Sequence, residues 1–124
     1  MNPDKKSILL VEDDKFLRNL SMKKLSKEGY EIIVATDGEE AVKIAETKTP
    51  NLILLDIILP GIDGYEVLRR IKGNVKLKNI PVILFTNLGQ KEDMEMGRSL
   101  GAEDFLLKAH FTLDEVLMKI KKYI

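Results

Sequence analysis

The stretch Asn51-Leu52-Ile53-Leu54-Leu55-Asp56-Ile57-Ile58-Leu59-Pro60-Gly61-Ile62-Asp63-Gly64 decides the architecture. Leu52 to Leu55 form a continuous apolar run, the pattern of a strand buried on both faces, and such strands belong to parallel sheets covered by helices. The run ends on Asp56, an acid whose burial without a partner would be costly. Pro60-Gly61 then turns the chain, and Asp63 followed three residues later by Glu66 marks a helix start. Asp56 therefore stands where a strand hands over to a loop and a helix, the edge at which open α/β sheets bind ligands.

Working outward, the same alternation recurs. Ile8 to Val11 is a short strand that ends in Glu12-Asp13-Asp14. From Lys15 the pattern predicts a helix with Phe16, Leu17, Leu20 and Leu25 on its apolar face, Gly29 as its stop and Asp14 as a first-turn acid favoured by the dipole. Ile32 to Ala35 reads as a strand, and Asp37 with Glu40 caps a helix that turns Ala41, Val42 and Ala45 inward. Val67, Leu68 and Ile71 give the next helix its buried stripe. Pro81 can begin a strand but not occupy its middle, so Val82 to Phe85 is the fourth strand with Thr86 at its end.

Gln90 to Leu100 is the weakest helix. Met94 and Met96 do not share a face, and Gly97 costs about 1 kcal/mol relative to alanine, so this segment is expected to be mobile. Asp104 to Leu107 is the fifth strand and Lys108 follows it. Thr112 and Glu115 form a capping box for a last helix carrying Leu113, Val116, Leu117 and Ile120.

Five strands alternating with five helices predict an α/β fold, a doubly wound five-stranded parallel sheet joined by right-handed crossovers. At 124 residues the chain is read as a single domain over 1–124, with its core at about 6–123. Lys plus Arg and Asp plus Glu are 20 each, so the formal net charge is zero and the general positive field of a nucleic-acid binder is missing. Cysteine is absent, which excludes a disulfide framework, thiolate metal sites and thiol catalysis. Asp56 interrupts the longest apolar stretch, so membrane insertion is not expected, and the chain is read as cytoplasmic.

Because parallel strands point the same way, the polar residues that end them gather along one edge: Glu12, Asp13, Asp56, Thr86 and Lys108. Strands lie about 4.8 Å apart, so carboxylates ending adjacent strands repel unless a positive group joins them. Glu12, Asp13 and Asp56 carry roughly three negative charges and Lys108 returns one. A divalent cation balances the rest, and an all-oxygen donor set favours Mg²⁺, or Mn²⁺. An aspartate in this setting can form an aspartyl phosphate, with lysine and metal stabilising the phosphoryl oxygens and Thr86 donating to one of them.

On these residues and the Leu59-Pro60-Gly61-Ile62-Asp63-Gly64 turn, the sequence resembles the receiver domain of response regulators in two-component signalling, over essentially its whole length. The resemblance implies a flavodoxin-like (βα)5 fold with strand order 2-1-3-4-5. It assigns Glu12 and Asp13 with Asp56 to the metal site and Asp56 to the phosphoacceptor. It makes Thr86 the switch hydroxyl, Phe105 the switch aromatic and Lys108 the strand-five lysine. It also implies a sensor histidine kinase or phosphotransfer protein as donor, and an output partner on the face of helix four, strand five and helix five. The protein would assist its own phosphorylation without being a true enzyme. Absence of a further domain in these residues resembles stand-alone chemotaxis and phosphorelay regulators, and a segment of a longer regulator would read the same.

Some positions depart from the family pattern. Ala109 replaces the usual proline after Lys108, which predicts a trans bond, since a cis bond before a non-proline residue costs about 3 kcal/mol. Asn87 replaces a small residue, with narrower access or an added hydrogen bond as the open consequences. Ile58 and Leu88 occupy the positions that tune water attack on the acyl phosphate, and two apolar groups cannot orient that water, so a long-lived phosphoryl group is expected. The alternative is a scaffold that keeps the fold without being phosphorylated. A phosphohydrolase fits poorly because Ile58 stands where a second acid is needed, and a flavin phosphate would meet Glu12-Asp13-Asp14. His110 is read as an exposed loop residue without a role.

Overall fold

The computed structural model describes residues 5–124; residues 1–4, which the sequence reading includes in the domain, lie outside them. The elements are β1 (Ser7–Val11), α1 (Lys15–Lys27), β2 (Glu31–Ala35), α2 (Gly38–Lys48), β3 (Leu52–Leu55), α3 (Gly64–Lys72), β4 (Val82–Thr86), α4 (Lys91–Ser99), β5 (Asp104–Leu107) and α5 (Leu113–Tyr123). The strands form one parallel sheet in the order β2-β1-β3-β4-β5. This is the expected doubly wound, flavodoxin-like arrangement.

Side-chain alternation along the central strands builds two cores. Leu9, Val11, Ile53, Leu55, Val82 and Leu84 face α2 and α3, where Ala41, Ala45, Val67, Leu68 and Ile71 meet them. Ile8, Leu10, Leu52, Leu54, Ile83 and Phe85 face α1 and α5 through Leu25, Val116, Leu117 and Ile120. A strand buried on both faces has no polar side, which is why the sequence runs are uniformly apolar.

The predicted apolar face of α1 is displaced. Ser21 and Leu25 are its buried residues, with Leu17 and Met22 packing partly behind them, whereas Phe16 is 76% and Leu20 42% exposed. Positions 17, 21 and 25 form one i, i+4 row, and that row, although it contains a serine, turns toward the sheet. Asp14 is the N-cap of α1 instead of a first-turn acid, its carboxylate accepting the Leu17 N–H at 2.9 Å.

Capping elsewhere follows the local rules. Asp37, Asp63 and Thr112 accept from the N–H groups of Glu40, Glu66 and Glu115. Only the Thr112 pair among these closes as a reciprocal box, while Glu66 turns to Arg69 and Arg70. Gly97 has a different meaning from the one its helix propensity assigns. A Cβ at this position would lie 2.6 Å from Leu84 Cδ1 and 3.2 Å from Phe105 Cδ2, so glycine lets α4 approach the sheet.

Candidate functional site

The three acids arrive at one point because of strand register. Val11 pairs with Leu55, so Glu12 and Asp56 leave adjacent strands side by side, and the Asp56 N–H still donates to the Val11 carbonyl at 3.1 Å. Carboxylate oxygens of Glu12, Asp13 and Asp56 lie within 4.8 Å of one another. Glu12 and Asp56 are buried, and Asp13 is exposed at the mouth.

Lys108 joins them from β5. Its Nζ lies 2.7 Å from Glu12 Oε1 and 2.7 Å from Asp56 Oδ2, and 5.9 Å from the centre of the Phe85 ring. Burial alone would lower the pKa of Lys108, but its hydrogen bonds to Asp56 and Glu12 outweigh that and hold it above the ordinary lysine value. Burial pushes the Glu12 carboxyl up from the usual carboxylate range even though Lys108 opposes the shift. The remaining oxygens are met by backbone: Ile58 N–H donates to Asp56 Oδ1 at 3.3 Å, and Asp14 N–H to Glu12 Oε2 at 3.2 Å.

Lys108 supplies one positive charge against the two buried carboxylates of Glu12 and Asp56, and Asp13 adds a third carboxylate at the exposed mouth, so the site carries an excess of acidic groups over cationic ones. The donor set is all oxygen, one side open through Asp13. These features fit a hard divalent cation that keeps part of its water shell.

Thr86 ends β4 fully buried, its Oγ1 accepting the Leu88 N–H at 3.3 Å. Leu84 pairs with Leu55, which sets Thr86 on the neighbouring strand just beyond Asp56. Lys108 N–H donates to the Thr86 carbonyl at 2.8 Å, tying the β4 and β5 ends together. Phe105 is not in this cluster; it pairs with Leu84 one layer deeper and packs beneath α4 at Gly97. Ile58 is 55% exposed, whereas Leu88 is half-buried against the core. Asn87 and His110 are exposed, and no peptide bond among the described residues is cis, including Lys108–Ala109.

Sequence reasoning missed other participants. Tyr65 OH donates to the Asp93 carbonyl at 3.0 Å, linking the first turn of α3 to α4. Arg18 Nη1 donates to the Glu12 and Asp13 carbonyls at 3.3 Å each. Neither contact has a local sequence signal, because both cross from a helix to backbone outside it. Phe16, in the first turn of α1, and Ile58, in the loop between β3 and α3, are large apolar side chains left exposed.

The family model for the response regulator receiver domain matches residues 8–121. The chain belongs to this family. Receiver domains are regulatory switches of two-component systems. Among curated relatives, the alkaline phosphatase synthesis transcriptional regulatory protein PhoP of Bacillus subtilis is 38% identical over 116 residues, covering 94% of this chain and 47% of its own. This receiver chain spans about half the length of the curated relatives it matches. The chemotaxis protein CheY4 of Vibrio cholerae superimposes with a TM-score of 0.90 at 25% identity, covering 97% of this chain and 99% of that one. The receiver domain of sensor histidine kinase PA1611 of Pseudomonas aeruginosa has a TM-score of 0.88 at 30% identity, covering 96% and 97%, and holds a magnesium ion in its active-site cleft. The acidic cluster of this receiver and that metal-bound relative together support divalent-metal binding. No helix among the described residues is long and apolar enough to cross a membrane.

Proposed function

We propose that this receiver accepts a phosphoryl group on Asp56 from a phosphohistidine of a sensor kinase or phosphotransfer protein. The observation that carries the reading is Lys108, half-buried and 2.7 Å from both Asp56 and Glu12, which sets a positive charge against the candidate nucleophile at an otherwise apolar strand end. An Asp56 carboxylate oxygen attacks phosphorus as the P–N bond breaks. The bonding pair returns to the imidazole nitrogen, which takes up a proton, and an acyl phosphate results. Glu12, Asp13 and Asp56 would hold Mg²⁺ or Mn²⁺, which offsets charge on the phosphoryl oxygens when bound. Lys108 faces the same oxygens from β5, and Thr86 supplies a hydroxyl from β4.

The switch follows from differential contacts to the new group. Thr86 turns its hydroxyl toward the phosphoryl oxygen and releases the Leu88 N–H, and Phe105 repacks beneath α4. Output passes through the face of α4, β5 and α5, to a protein partner or a further segment of the same chain, with no direct nucleic-acid contact by this domain. Phe16 and Ile58 give the donor protein apolar contact at the mouth. Ile58 and Leu88 offer no side-chain hydrogen bond to water, which favours slow hydrolysis. We place the unit at 6–123 and its action in the cytoplasm, where the kinase's phosphohistidine is available.

The deciding experiment is Mg²⁺-dependent labelling by acetyl phosphate, or formation of a beryllium fluoride complex, in the wild type and in Asp56→Ala. Labelling of the wild type alone supports the reading. An unlabelled wild type that is folded and binds Mg²⁺ would favour a non-phosphorylated scaffold instead.

A further inference from the structure

We propose that Arg18 is a positioning residue for the metal-binding acids, holding the β1–α1 loop in the shape that Mg²⁺ requires. The inference rests on the proposed metal site and extends it to a side chain that touches no ligand oxygen. After Val11 the chain leaves the sheet, and the Glu12 and Asp13 carbonyls lose their place in the ladder. Arg18 Nη1 donates to both, at 3.3 Å each, and no other donor among the described residues reaches either oxygen. Arg18 itself is half-buried and fixed in the first turns of α1, its own N–H donating to the Asp14 carbonyl at 2.9 Å.

These contacts close the loop from two sides. Asp14 fastens it to the helix by capping Leu17 N–H, and its own N–H steers Glu12 Oε2. Arg18 fastens the opposite, carbonyl side. Asp13 is the acid most dependent on this second tether, because Glu12 and Asp56 are already held by Lys108 while Asp13 is exposed. Glu12 and Asp13 are consecutive, so a small rotation of the peptide between them moves both carboxylates relative to Asp56. Mg²⁺ demands near-octahedral geometry at short distances, whereas Ca²⁺ tolerates irregular shells. A loop that loses its tether should therefore lose Mg²⁺ before Ca²⁺.

Charge and geometry make opposite predictions, which makes the assignment decidable. Arg18 is a cation next to a cation site, so if it acted only through its field, its removal would tighten every divalent metal. If it positions the loop, its removal weakens Mg²⁺ binding. Outer-shell partners of metal ligands are commonly worth about tenfold or more in affinity.

The test is calorimetric titration of Mg²⁺ and Ca²⁺ into wild type, Arg18→Met and the charge-retaining Arg18→Lys, with thermal unfolding of the metal-free proteins alongside. The expected result is Mg²⁺ affinity lowered about tenfold in Arg18→Met and by a smaller factor in Arg18→Lys, with Ca²⁺ affinity less affected. A residue that merely supports the fold would lower the unfolding temperature without changing the Mg²⁺-to-Ca²⁺ ratio. Unchanged or tighter Mg²⁺ binding in the variants that fold would overturn the proposal. A wild type that binds no Mg²⁺ would instead remove the metal-site reading itself.

Discussion

Gly97→Ala separates propensity from packing. In a free helix the change is favourable by about 1 kcal/mol, since alanine confines the unfolded chain and promotes helix. Here the added Cβ would lie 2.6 Å from Leu84 Cδ1 and 3.2 Å from Phe105 Cδ2. Ordinary carbon contacts need about 3.5 Å, so one partner must retreat by roughly 1 Å. Leu84 is fully buried in β4, between β3 and β5, and can yield only by leaving its rotamer or shifting the strand. Such overpacking costs about 1–3 kcal/mol, which exceeds the propensity gain. The net expectation is destabilisation by about 1 kcal/mol, a fall of roughly 4 °C in Tm, read by urea and thermal denaturation. Leu84→Val removes the offending Cδ1, so in that background Gly97→Ala should become favourable. Stabilisation of the single variant by about 1 kcal/mol, or additive effects in the pair, would refute the packing argument.

Other perturbations test the site and its surroundings. Gly64→Ala would bring a Cβ to 2.3 Å from the Asp56 carbonyl oxygen and 2.6 Å from Ile57 Cα, both backbone, so a loss of about 3 kcal/mol or more in urea denaturation is expected and a loss below about 1 would contradict it. Lys108→Met leaves the Glu12 and Asp56 carboxylates buried without their cation; metal-free stability should fall by about 3 kcal/mol and Mg²⁺ should restore part of it, so a variant as stable as wild type without metal would count against the ion pairs. Glu66 has its carboxyl lowered to about 2 by hydrogen bonds from Arg69 and Arg70. Its contribution to stability is present above the unfolded value near 4.5 and disappears as pH falls through about 2, so an NMR titration of its carboxyl carbon with a midpoint above 4 would exclude the cluster. With the phosphorylated protein, Ile58→Asn combined with Leu88→Gln should accelerate dephosphorylation measured by phosphate release, and an unchanged rate would show that these positions do not control water.

Which features the sequence reveals depends on how locally they are determined. Asp37, Asp63 and Thr112 could be placed as caps because a short acceptor beside a helix start has its donor two or three residues away. Glu12, Asp13, Asp56 and Lys108 could be brought together without coordinates, since parallel strands turn sequence position into a shared edge. The orientation of α1 could not be inferred, because Phe16, Leu17 and Leu20 offer an apolar row as plausible as the one through Ser21 and Leu25; the choice is made by α5 and the sheet. Gly97 was opaque for the same reason: its neighbours Leu84 and Phe105 come from other strands. Arg18 and Tyr65 reach backbone carbonyls, which every residue possesses, so composition and spacing carry no trace of them.

The arrangement around Lys108 bears directly on how the proposed reaction would be transmitted. In the present geometry one ammonium is shared equally, 2.7 Å from Glu12 and 2.7 Å from Asp56. Converting Asp56 from a carboxylate with one negative charge to an acyl phosphate with about two moves the negative centre outward and doubles it. Lys108 is then drawn toward the phosphoryl oxygens and away from Glu12. Its backbone N–H is bonded to the Thr86 carbonyl at 2.8 Å, so that pull would be felt at the end of β4, beside the hydroxyl proposed to turn inward. Glu12, released from Lys108, becomes a stronger ligand for a cation. Phosphoryl binding, metal binding and the β4 movement should therefore be linked, each tightening the next. A Lys108→Met protein should separate them: it can retain Mg²⁺, but beryllium fluoride should no longer shift the Thr86 amide in an NMR spectrum. A full wild-type shift in that variant would show that Thr86 senses the phosphoryl group without help from β5.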